Sequence, residues 1–102
     1  MSLQSIIISL LSNIDDPHVR NDIASTIYFL RDVYLSGKIS LEDLQNDLYD
    51  VVSSVVDITE PFLLPEEKKK KVTMLVNQLV SAIRISTLRL RKMRKFSSFQ
   101  FE

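Results

Sequence analysis

Six bases fall within twelve residues near the end of the chain: Arg84, Arg89, Arg91, Lys92, Arg94 and Lys95, with no acid among them. Guanidinium forks and ammonium groups along one helix match the spacing of nucleic-acid phosphates, which makes these six the candidate nucleic-acid contacts. At helical pitch Arg84, Arg91 and Lys95 share a face with Thr73, Asn77 and Thr87, well away from the apolar seam of the same segment. The competing reading is a solvated face that complements the helix dipole, or one that pairs with acids of its own fold or of a neighbour. Leu88, Leu90 and Met93 interleave with the bases. That pattern also occurs in helices lying on membranes, but a membrane surface fits this chain less well than either alternative.

Lys68–Lys71 form a second basic run, and bases at the start of a helix oppose its dipole. The acids of the preceding helices (Asp22, Asp32, Glu42, Asp43, Asp47 and Asp50) are available to neutralise part of it. Asp43, Asp47 and Asp50 recur at spacings of four and three, with Glu42 and Asp57 nearby. Clustered carboxylates can bind a divalent cation or imitate a phosphate backbone. The plainer reading is the polar face of an amphipathic helix. No His stands at Glu-x-x-His spacing, so the di-metal bundle pattern is absent.

Other chemistry is scarce. The sole His, His18, follows Pro17 at the start of a helix beside Asp15 and Asp16, and reads as a surface residue lacking an orienting partner. Zero Cys removes thiol catalysis, disulfides and Cys-type metal clusters, and one Gly, Gly37, removes the Gly-rich phosphate loops. We therefore expect no enzyme: no catalytic residue, no metal site and no cofactor. Tyr28, Phe29 and Tyr34 read as core and boundary residues. Phe96, Phe99 and Phe101 are three of the five Phe. Leaving each in water forgoes ~1.5–3 kcal/mol of burial, so this tail is expected to pack on its own fold, on a twin or on another protein.

Four helices must position these groups. The first is expected at about residues 2–13, with Leu3, Ile6, Ile7, Leu10, Leu11 and Ile14 at three-and-four spacing. The second, 17–36, opens with Asp16 as cap and Pro17 in the first turn, carries Val19, Ile23, Ile27, Leu30 and Tyr34, and ends at Ser36-Gly37. The third, 41–58, starts from a capping box at Ser40 and Asp43. Its heptad seam is Leu41, Leu44, Leu48, Val51, Val55 and Ile58. The apolar linker Glu60–Pro65 is expected to fold Phe62, Leu63 and Leu64 onto the core. The fourth helix, 65–95, carries Val72, Val76, Leu79, Ile83, Leu90 and Met93, with Ser86 at one seam position, and residues 96–102 form a tail. At ~46 Å it is too long for a round domain of this size, whose diameter is roughly 33 Å. It must kink, project or be covered by a second subunit. Met74, Ile85 and Leu88 lie off its seam, and a helix apolar on more than one side is buried on more than one side. With Phe96, Phe99 and Phe101 they are the candidate partner or dimer interface.

The chain has 102 residues with 45% apolar content, the size and composition of a single domain spanning 1–102. Thirteen bases and thirteen acids give a net charge of zero. That balance hides a split: residues 1–67 carry twelve acids and three bases, and 68–101 carry ten bases and no acid. No apolar stretch reaches the ~18 residues of a membrane span, and the N-terminus lacks the marks of a secretory signal. These readings define an all-α fold: an antiparallel four-helix bundle, or a three-helix core with a long, projecting fourth helix. The expected function is a cytoplasmic, non-enzymatic adaptor or regulatory module that dimerises or binds a protein partner. The alternative is nucleic-acid binding through the basic part of helix four.

Overall fold

Four helices and no strand make up the described residues of a computed structural model: α1 (Leu3–Leu11), α2 (Pro17–Leu35), α3 (Leu41–Thr59) and α4 (Pro65–Phe101). The backbone is described for residues 2–101 and the side chains for residues 2–85.

Local chemistry sets each boundary. α1 is shorter than its apolar spacing predicts, because the Ser2 hydroxyl caps it by accepting from the Ser5 amide at 3.2 Å and Ser12 already stands as its C-cap. At α2 the Asp16 carboxylate accepts from the His18 amide at 2.9 Å, with Pro17 at the helix start, where an amide would find no partner. α2 closes in a Schellman motif: the Gly37 amide donates to the Tyr34 carbonyl (3.0 Å) and the Lys38 amide to the Val33 carbonyl (2.9 Å). Gly37 supports that turn at a φ of 77°. α3 opens with the complete capping box. The Ser40 hydroxyl accepts from the Asp43 amide (3.1 Å), and the Asp43 carboxylate accepts in return from the Ser40 amide (3.4 Å). α4 runs on through residues 96–101, which the sequence leaves as a tail, since no Gly or Pro interrupts it after Pro65.

The connections at residues 12–16, 36–40 and 60–64 are each five residues long, which suits antiparallel neighbours. α3 and α4 form the central pair, α2 packs on α3 and α1 on α4. The core is wholly aliphatic. Ile27, Leu44, Leu48, Val52, Val55, Val56, Val72, Leu79 and Ile83 are fully buried, and no polar side chain among the described residues is buried with them. Both alternatives for α4 meet in this shape. It packs in the bundle through Val72, Val76, Leu79 and Ile83, yet its 37 residues are nearly twice the 19 of α2 or α3. The molecule measures 58 × 27 × 23 Å, and its long dimension matches the ~56 Å of such a helix.

Three expectations need correction. Ile58 is not in the α3 seam; it is 55% exposed, while Val52 and Val56 are buried. A straight helix drifts from a 3.5-residue repeat, so the buried stripe has moved off the heptad register by the last turn. The linker folds only Leu63 against the core: Phe62 is 78% and Leu64 64% exposed. Phe29 is 64% exposed, because the helical turn that buries Ile27 and Leu30 points residue 29 the other way; Tyr28 and Tyr34 do border the core.

Candidate interaction surface

α4 presents two different sides. Val72, Val76, Leu79 and Ile83 recur at spacings of four, three and four and are buried against α3 and α1. Met74 and Ile85 are each 51% exposed. Eleven residues make just over three turns, so these two side chains lie nearly on one line along the helix, about 16 Å apart and opposite the buried stripe. Asn77 and Ser81 stand exposed between them. Beside this line, Ile6 of α1 joins Asn77, Gln78, Ser81, Ala82 and Ile85 around a shallow groove of about 360 Å³. Of the six candidate interface residues, Met74 and Ile85 thus stand on one exposed face. Leu88, Phe96, Phe99 and Phe101 lie outside the described side chains.

Arg84 is exposed and has no ion-pair partner among the described residues. The other candidate phosphate contacts, Arg89, Arg91, Lys92, Arg94 and Lys95, also lie outside the described side chains. The Lys68–Lys71 run divides in two. Lys68 pairs with Asp57 at 2.5 Å and Lys71 with Glu60, both across the α3–α4 turn, whereas Lys69 and Lys70 face solvent. The acids expected to neutralise the run do not touch it: Asp32 pairs with Arg31, Asp43 caps α3 with Ser40, and Asp22, Glu42, Asp47 and Asp50 are exposed without an ion pair among the described residues. Sequence reasoning missed Asp57 and Glu60 because their pairing follows from how the chain reverses at Pro61–Leu64, which sets the end of α3 against the start of α4. Both pairs remain partly open to solvent, and pairs of this kind contribute little, ~0–1 kcal/mol.

The acidic residues of α3 divide in the same way. Asp43 serves in the capping box and Asp57 in its ion pair, so they are structural at least in part. No group of three or more acids or His among the described residues is arranged to hold a metal ion. His18 is exposed, and its backbone amide serves the α2 cap. α1, α3 and α4 also enclose a cleft of about 230 Å³, with Ile6, Leu10, Val55 and Leu75 as walls and the Lys71–Glu60 pair at its side. The two charges there satisfy each other, and the nearby Thr59 hydroxyl donates to the Val55 carbonyl at 2.9 Å.

A second exposed apolar region is the outer side of α2 and α3, and sequence reasoning missed it. Asp22, Ile23 and Thr26 of α2 and Val51 and Ser54 of α3 line a shallow groove of about 200 Å³. Phe29 follows Thr26 by three residues and Ile58 follows Ser54 by four, so each continues its wall by one helical turn. Both are more than half exposed. The available signal was the 3.6-residue period itself, which takes residue 58 out of the seam and residue 29 out of the α2 stripe.

No helix among the described residues is long and apolar enough to cross a membrane. No family model, curated protein or solved structure matches this chain.

Proposed function

We propose that the chain is a non-enzymatic helical module for protein–protein interaction that associates with itself, acting as an adaptor or regulator in the cytoplasm. The observation that carries this reading is the second apolar side of α4: Met74 and Ile85 lie half exposed opposite a stripe that the bundle already buries. A helix this long, packed on α3 of about half its length and on α1 of about a quarter, leaves more of its surface uncovered than one chain's other helices can reach. Leu88, Phe96, Phe99 and Phe101 add apolar residues to the same helix in sequence. The lack of Cys suits a reducing compartment. An aliphatic core without a buried polar side chain among the described residues favours a scaffold over a catalyst.

Sedimentation equilibrium tests the reading. The wild-type chain is expected to dimerise at micromolar concentration and to remain associated at physiological salt. Replacing Phe99 and Phe101 by Ser is expected to return it to monomer without loss of helicity. A wild-type chain that stays monomeric would overturn the proposal.

The alternative, nucleic-acid binding, draws support from Arg84, exposed and without an acid partner among the described residues, at the head of a segment holding five further bases. Titration into labelled duplex DNA and single-stranded RNA separates the readings. Binding through the arm would fall by orders of magnitude with rising salt, and Arg84→Ala, Arg91→Ala and Lys95→Ala would weaken it for all sequences alike.

A further inference from the structure

We infer that in the self-associated form the basic arm of α4, Arg84 to Lys95, docks in the groove between α2 and α3 of a second copy, each copy giving its arm to the other. This rests on the self-association proposed above and names the surface that receives the arm.

Two receiving surfaces compete: α4 of the second copy and its α2–α3 groove. Charge decides between them. If two α4 helices paired antiparallel through Met74 and Ile85, residue 74 of one would face residue 85 of the other. The same register sets Lys68–Lys71 against residues 88–91 of the second copy, which include Arg89 and Arg91. Parallel pairing sets the ten bases of 68–101 against an identical ten. Either arrangement places like charges together, which an interface penalises strongly.

The α2–α3 groove has the opposite character. Asp22 stands on one wall, and on the other Asp47 lies one turn before Val51, with Asp50 adjacent. All three carboxylates are exposed and have no ion-pair partner among the described residues of their own chain. The apolar part of the groove is Ile23 and Val51, extended by the exposed Phe29 and Ile58. By helical register Ile85 and Leu88 stand three residues apart on one side of the arm, flanked by Arg84, Arg91 and Lys95, and this pattern complements a groove that combines carboxylates with Phe and Ile. This is the helix-in-groove mode of recognition, in which apolar anchors supply affinity and charges choose the partner. Lengths agree as well: Arg84 to Lys95 spans about 16 Å of helix, and Asp47 to Ile58 the same. The reciprocal exchange is a closed two-fold arrangement, which uses the arm and the groove of both copies.

A charge-swap experiment tests this on the full chain by sedimentation, with far-UV circular dichroism as the check on folding. One variant carries Asp22→Lys, Asp47→Lys and Asp50→Lys. The other carries Arg84→Glu, Arg91→Glu and Lys95→Glu. Each alone is expected to self-associate at least ~100-fold more weakly than wild type, since like charges then meet at both contacts. Mixed together, they are expected to form a heterodimer of near wild-type affinity, because both contacts again join opposite charges. If either triple variant loses helicity, the milder Asp22→Asn, Asp47→Asn and Asp50→Asn set takes its place, with about tenfold weakening expected. Full-strength association of both variants, or two monomeric variants that do not combine, would overturn the docking while leaving self-association intact. A monomeric wild type, including one that binds DNA instead, would overturn both.

Discussion

Gly37 holds a φ of 77°, and nothing lies within 4 Å of the place a Cβ would occupy. Gly37→Ala should therefore cost backbone strain alone, about 1–2 kcal/mol, measured by urea unfolding. Leu48 is fully buried in an aliphatic core, and Leu48→Ala should cost about 2–5 kcal/mol by the same measurement. Phe29→Ala, at a dilution where the chain is monomeric, should change stability by no more than ~0.5 kcal/mol, because that ring is already largely in water. At this scale the caps were legible: Asp16-Pro17, Ser40 with Asp43, and Ser36-Gly37 each announce a helix end through chemistry local to a few residues. The pairing of Lys68 with Asp57 and of Lys71 with Glu60 was not, since it depends on how the chain reverses between two helices.

Among the elements, α3 shows where periodicity misleads. A heptad reading and a straight-helix reading agree on Leu44, Leu48 and Val55, then part company in the last turns. Val56→Ala should destabilise by about 1–3 kcal/mol, whereas Ile58→Ala should be nearly neutral in the monomer, and paired denaturation curves would show the contrast. A heptad seam would give the reverse order. For α4, Ile85→Ser should leave the monomer's unfolding midpoint almost unchanged and weaken self-association, since Ile85 lies outside the core and within the docking arm. The exposure of Met74 and Ile85 was readable from their register against the buried stripe. The groove between α2 and α3 was not, because it exists only once two helices lie side by side.

For the whole molecule, the zero net charge conceals an acidic body and a basic helix. The fold neutralises little of that contrast: among the described residues only Lys68, Lys71 and Arg31 pair with acids. The all-α architecture was legible because each helix carries its own period and its own stops. The receiving surface for α4 was not, because it belongs to the arrangement of helices and to a second copy of the chain. The most direct measurement is the mass of the wild-type chain by sedimentation equilibrium across the micromolar range at physiological salt. The account predicts about twice 11.8 kDa at the upper end, falling toward 11.8 kDa on dilution. A mass that stays at 11.8 kDa throughout would contradict it.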